Sequence, residues 1–264
     1  MSKSLMLVSQ SNSGSTWFSK CLTNTSPHLI GPDKEYFNPV LQNKHRRRMS
    51  VFGAEHYPFV LNLAKRQKNW DMDKLLRETW RKDGLNYTKE NYLAFVLPRL
   101  REHFDFVFFF RDMQWCFPPE RVRVMLWYDA WLCSLLANGE VSSGLLQWMD
   151  TENATMERRA VAGWQIVRWQ LMVMSKALDA PVFKYADILS QPYSDLLKSC
   201  SRLTNFGIDA RKLADEIEST RKNPPRPSVT YLDQWEDALD FHAGMVEKFE
   251  EEQMSYLQER HYFL

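Results

Sequence analysis

The segment FDFVFFF, Phe104–Phe110, limits the possible folds more than any other stretch of this chain. A short run this apolar, ended by the charged pair Arg111 and Asp112, reads as a buried strand with charges at its carboxyl edge. A second short apolar run, Leu5–Val8, has the same character. Around both, the apolar residues change to helical spacing. Helices are expected over Asn91–Glu102, Arg121–Leu136, Met156–Leu178 and Tyr193–Phe206, and in a stretch around 60–81. A further strand is expected at Val182–Tyr185, and residues 231–262 read as an acidic amphipathic helix or helix pair. Residues 27–58 and the proline-rich NPPRPS, 223–228, read as loops. Short apolar strands alternating with longer helices indicate an α/β domain with a largely parallel sheet.

The bulk properties narrow the function classes. A chain of 264 residues can bury a substantial core, and one domain spanning 1–264 is expected. Its 34 Lys and Arg nearly cancel 33 Asp and Glu, leaving a formal charge of +1. No global field therefore favours nucleic acid or an anionic membrane, and any anion site must be local. The four cysteines, Cys21, Cys116, Cys133 and Cys200, are scattered without metal-ligand spacing, and the six histidines show none either. Reduced thiols in a soluble, cytoplasmic protein without a membrane span or a metal site are the expectation.

The polar turn SQSNSGS follows the Leu5–Val8 strand, and a helix is expected from Thr16 to just before Pro27. In a parallel sheet this is where ligands sit, because a helix N-terminus there presents backbone N–H groups. Gly14 permits close backbone approach, while Ser13, Ser15 and Thr16 offer hydroxyls. The turn lacks the upstream glycine and the lysine of the G-x-x-x-x-G-K-[ST] nucleotide loop. From the turn alone, a phosphate cradle and a serine-rich connection with a hydroxyl helix cap remain equally open.

Four segments in order resemble sulfotransferases. SNSGSTW, residues 11–17, is similar to the family's 5′-phosphosulfate loop, and GPDKEYFNP, 31–39, to the P-x-E-Y-F-N segment of the trehalose 2-sulfotransferase group. VFFFRD resembles the family's strand ending in Arg-Asp, and VFKYADILSQPYSDLL its Tyr-x-Asp segment and following helix. The likeness covers residues 5–208; stretches 40–100 and 209–264 read as variable helical and loop regions. It implies a three-layer P-loop-like fold with a central, mostly parallel sheet. It also implies transfer of a sulfuryl group from 3′-phosphoadenosine 5′-phosphosulfate (PAPS) to a hydroxyl of a carbohydrate, glycolipid or other small acceptor, leaving PAP, without a metal.

The resemblance assigns Ser11, Asn12, Ser13, Gly14, Ser15, Thr16 and Trp17 to the donor's phosphosulfate and Arg111 to its 3′-phosphate. Arg221 and Lys222 are further donor-binding cations, and Glu35 is the general base. Two positions depart from the family pattern. Pro119 stands where a phosphate-binding serine is usual, with Arg121 and Arg123 as candidate substitutes. Asn12 stands where the loop carries Lys or Arg, a loss on the order of 3 kcal/mol in transition-state stabilisation, about a hundredfold in rate. Arg46, Arg47, Arg48 and Arg226 are further cations that could compensate, and His56 is a second candidate base. The alternative reading is a weakened or inactive nucleotide-binding or interaction protein on the same fold.

Overall fold

In a computed structural model, residues 3–10, 13–31, 80, 84–91, 97–113, 116–117, 122–221 and 235–261 are described. Four strands, β1 (Ser4–Ser9), β2 (Tyr87–Glu90), β3 (Phe104–Phe110) and β4 (Val182–Lys184), form an all-parallel sheet in the order β2-β1-β3-β4. Helix α1 (Ser15–Thr25) follows β1, and α2 (Leu97–Leu100) precedes β3. Between β3 and β4 lie α3 (Val122–Ala137), α4 (Ser143–Met149) and α5 (Met156–Ala177). Beyond β4 come α6 (Tyr185–Ser190), α7 (Tyr193–Ser201), α8 (Ala210–Arg221) and α9 (Glu236–His261).

The alternation of side chains along a strand divides the core. Met6, Val8, Phe106, Phe108 and Phe110 enter a cluster with Trp164 and Trp169 of α5 and Leu132 of α3. Leu5, Leu7, Val107 and Phe109 enter the opposite one with Phe18, Leu196 and Ile217. Phe18 lies 4.9 Å, centroid to centroid, from both Phe109 and Phe183, fixing α1 across β3 and β4. FDFVFFF is apolar on both sides because helices cover both sides.

The long helix α9 is held at its far end by Gln253, which is wholly buried. Its Nε2 donates to the Glu140 carbonyl and its Oε1 accepts from the Ser142 N–H, each at 2.8 Å.

Several sequence expectations are corrected. Stretch 40–100 contains β2, a strand the apolar pattern does not reveal. Tyr-Thr-Lys-Glu is polar, yet Thr88 and Glu90 are both wholly buried and Thr88 Oγ1 donates to Glu90 Oε1 at 2.7 Å. Of the helix expected over Asn91–Glu102, Leu97–Leu100 is helical, residues 101–103 are a turn, and 92–96 lie outside the described residues. Tyr185 starts α6 instead of ending β4. The helix expected to reach Phe206 stops at Ser201, before a short turn and Gly207 at φ 74°. Helix α4 was not expected; the Ser142 hydroxyl caps it by accepting from the Leu145 N–H at 3.4 Å, and Asp150 at φ 41° ends it. The expected helix near 60–81 and most of the expected loop 27–58 lie outside the described residues.

Helices α3 and α5 meet at Gly163. A Cβ there would lie 2.1 Å from the Tyr128 carbonyl oxygen and 3.2 Å from the Leu132 nitrogen, both backbone atoms that cannot rotate aside. Gly163→Ala is therefore expected to destabilise the fold by roughly 1–3 kcal/mol through overpacking, read as a lower urea midpoint with an unchanged slope.

Candidate functional site

In an open parallel sheet, the crevice at the carboxyl ends opens where the chain turns from building one way to building the other. Here β2 lies on one side of β1 and β3 on the other, so that point is the gap between β1 and β3. The turn after β1 stands at this gap on one strand, and Arg111 directly ends the other.

Gly14 is the N-cap of α1, at φ 85° and ψ 5°, and being glycine supplies no capping side chain of its own. The Gly14 carbonyl accepts from Trp17 N–H at 3.0 Å and Phe18 N–H at 3.3 Å, while Ser13 N–H donates to the Gln10 carbonyl at 3.2 Å. The Ser15 N–H, the first of the helix, donates to the Ser13 hydroxyl at 3.4 Å. The turn thus combines a glycine at the cap with a serine hydroxyl on the helix's first N–H. Its left-handed residue is glycine and the first N–H groups of an eleven-residue helix face the sheet's carboxyl edge.

Gly14 is also required by its neighbour. A Cβ would come within 3.0 Å of Cε2 and 3.1 Å of Cδ2 of Tyr185, the first residue of α6. The Arg111 guanidinium carbon lies 4.3 Å from the centre of the same ring. Trp17 and Phe109 meet this ring edge-on, at 6.0 and 6.3 Å. Tyr185 thus touches the turn, the end of β3 and the start of α1 together. Its ring is 5% exposed, and its hydroxyl has no hydrogen-bond partner among the described residues. Burial raises its pKa and the Arg111 charge opposes that rise. At neutral pH the group is a phenol, able to donate a hydrogen bond.

On the other side of the turn, Lys89 of β2 and Asn91 just beyond it contribute polar groups. Asn91 Oδ1 accepts from Ser9 Oγ at 2.5 Å and from Ser15 Oγ at 3.5 Å, tying the ends of β1 and β2 to the start of α1. Lys89 Nζ donates to Thr16 Oγ1 at 3.4 Å. Sequence reading missed both residues, since nothing in YTKEN identifies a strand beside the turn; only the pairing of Val8 with Glu90 brings them there.

The candidate residues fall into three groups. Ser13, Gly14, Ser15, Thr16 and Arg111 gather around the gap. Trp17 packs between Tyr185 and α8, its indole N–H donating to Thr220 Oγ1 at 3.1 Å. Arg221 serves the fold: Nη1 donates to the carbonyls of Ile188 at 3.2 Å and Gln191 at 2.8 Å, closing the end of α6, and Nη2 pairs with Glu218. Ser11, Asn12, Glu35, Lys222, Arg46–Arg48, His56, Pro119, Arg121 and Arg226 lie outside the described residues, as does the side chain of Arg123.

Below Arg111, Arg168 of α5 donates from Nη1 to the Arg111 carbonyl at 2.8 Å, and its Nη2 lies 3.9 Å from Asp112. Asp112 thus turns to Arg168. Cys116, fully buried here, has its thiol pushed up to about 11 by burial, against the lowering influence of Arg111 and Arg168. It stays protonated at neutral pH and is no thiolate nucleophile. Among the described residues, no group of His, Cys, Asp and Glu is arranged to hold a metal ion. No helix among them is long and apolar enough to cross a membrane. A surface cavity of about 310 Å³ opens elsewhere, lined by Trp148, Phe241, Arg158 and Asp237. Arg158 stands ten residues before Arg168 on α5, about 15 Å of helix away, so this groove is not the gap between β1 and β3.

No family model, curated protein or solved structure matches this chain.

Behind the site, His242 of α9 lies with Nε2 2.9 Å from Gln165 Oε1, its ring 6.1 Å from that of Trp164. Burial, reinforced by the Arg168 charge, lowers its pKa from 6.5 to about 4. Between these values the unfolded chain binds a proton that the folded chain excludes. The stability of the neutral imidazole is therefore complete above pH 6.5 and is lost as pH falls toward 4, by up to about 3 kcal/mol. His242→Gln is expected to remove that part of the acid dependence. Urea midpoints across pH 7 to 4 measure it, and parallel wild-type and variant curves would refute it.

Proposed function

We propose that this chain is a sulfotransferase on a P-loop-like fold, which takes the sulfuryl group of PAPS to a hydroxyl of a carbohydrate, glycolipid or other small acceptor. The observation that carries this reading is the glycine-led turn at the β1/β3 gap, with Arg111 fixed beside it on the face of Tyr185. Such a turn offers an anion backbone donors and a helix dipole, and a guanidinium at the next strand end offers a second anionic group a planar fork. PAPS carries both groups, a 5′-phosphosulfate and a 3′-phosphate. The ordered likeness of SNSGSTW, EYFNP, FFFRD and KYADIL to sulfotransferase segments adds the chemistry.

In this reading, the turn 11–16 holds the phosphosulfate and Arg111 the 3′-phosphate. The acceptor oxygen attacks sulfur while Glu35 takes its proton. The bond from sulfur to the bridging oxygen breaks, its electron pair stays on the 5′-phosphate, and PAP leaves with that added charge. Trp17 and Arg221 are both engaged within the fold, Trp17 with Thr220 and Arg221 with the carbonyls of Ile188 and Gln191.

Calorimetry with PAP and transfer assays with radiolabelled PAPS over an acceptor panel test the proposal. Arg111→Ala is expected to weaken PAP binding by roughly ten- to a hundredfold, the worth of a charge-assisted contact. Glu35→Gln should leave PAP affinity intact and cut transfer at least about a hundredfold. A wild-type protein that binds neither PAPS nor PAP refutes the function. Binding without transfer to any acceptor, unchanged by Asn12→Lys, assigns the chain instead to non-catalytic nucleotide binding.

A further inference from the structure

We propose that the cavity between α4 and α9 binds an alkyl diamine, its two ammonium groups matched to two carboxylates and its carbon chain to an aromatic wall. The cavity is separate from the β1/β3 gap, and its ligand does not depend on the function proposed for that gap. The end of α4 brings Trp148 and Asp150 to it, the start of α5 brings Arg158, and the first two turns of α9 bring Asp237, Asp240 and Phe241. They enclose about 310 Å³, room for a small ligand.

Three carboxylates and one guanidinium line this space. Arg158 is already committed. Its Nε donates to Asp237 Oδ2 at 2.7 Å and its Nη2 to Asp237 Oδ1, a forked pair in which each charge cancels the other. Asp150 and Asp240 remain, two negative charges with no cation of the lining against them. Asn153 Nδ2 donates to both oxygens of Asp150, at 3.0 and 2.9 Å, which orients that carboxylate without neutralising it. Asp240 makes no hydrogen bond or ion pair among the described residues. A concave wall bearing charge of one sign focuses its field into the cavity and concentrates counter-ions there.

The apolar side of the cavity distinguishes among cations. Phe241 stacks on Trp148 with centroids 4.8 Å apart and planes at 24°. Both rings already carry cations of the protein. The Arg158 guanidinium lies 5.5 Å from the centre of Phe241, and the ammonium of Lys248, outside the lining, lies 5.8 Å from that of Trp148. Phe249 also meets Trp148, at 5.4 Å. With their faces shared among protein groups, the rings offer no open platform for stacking a saccharide, so the carboxylates select the ligand. An anion is repelled. An inorganic dication satisfies the charges but leaves the aromatic wall in water, whereas a diamine satisfies the charges and covers the wall with its methylenes.

Calorimetry on the full chain with 1,4-diaminobutane, butylamine, 1,4-butanediol and Mg²⁺, at 50 and 200 mM salt, tests the assignment. The diamine is expected to bind at least about tenfold tighter than butylamine and to weaken at the higher salt, and the diol is expected not to bind. Asp150→Asn and Asp240→Asn should each bring the diamine to within about threefold of butylamine, with melting temperature and PAP affinity unchanged. Asparagine keeps the shape of both side chains and tolerates the φ of 41° at residue 150. Absence of diamine binding in wild type, or its survival when both substitutions are combined, overturns the assignment. Mg²⁺ that displaces the diamine at equal concentration overturns it too, by showing an acidic surface only, and equal binding of diol and diamine gives the cavity to polyols instead. A wild type that binds the diamine in the expected way but not PAP leaves the cavity assigned and refutes the proposed function alone.

Discussion

The ring of Tyr185 fills the space that a side chain at residue 14 would need, and the organisation of the site follows from that contact. With φ at 85°, residue 14 already favours glycine; with an aromatic ring 3.0 Å from the position of a Cβ, no other residue fits without displacement. The same ring carries Arg111 on its face and meets Phe109 and Trp17 edge-on. One side chain from the start of α6 therefore sets the distance between the turn after β1 and the charge after β3. The hydroxyl, without a hydrogen-bond partner among the described residues, is consistent with a residue placed for a ligand as well as for packing.

Electrostatic economy runs through the rest. With a net charge of +1, the chain has no surplus field to draw an anion, so each cation matters by position. Arg168 and Arg221 both donate to backbone carbonyls, an arrangement that suits the guanidinium's several donors and uses its charge for architecture. Arg111 stacks and Lys89 reaches the turn, one on either side of β1.

Much of this architecture was legible in the sequence, and the reasons are particular. Phe104–Phe110 announced itself because a strand covered on both faces has few polar residues to obscure it. Helices α3 and α5 were legible because apolar residues recur along them at helical spacing. The turn was legible because glycine, serines and a strand-to-helix change coincide there. Strand β2 was not, because its burial is polar: Thr88 donates to Glu90 and Tyr87 donates to Ser19 at 2.7 Å, neither of which leaves a hydrophobic period. The site inherits that blindness. Arg111 was found because it ends the most visible strand, while Lys89 and Asn91 were missed because they end the least visible one.

That hidden strand also carries the strictest requirement of register. Side chains alternate along β2, so Lys89 turns to the face of Leu7 and α1 while Thr88 and Glu90 turn to the face of Met6 and Val8. A slip of one residue would exchange them. The Glu90 carboxylate would then stand beside Thr16, repelling any anion on the turn, and the Lys89 ammonium would be driven into a face lined by Trp164 and Phe108, where an unpaired charge costs far more than strand pairing returns. The Tyr87–Ser19 contact, made to α1, fits only one of the two registers. The polar composition that conceals β2 from a sequence reading is thus what fixes its register, and through that register a cation, not a carboxylate, faces the turn.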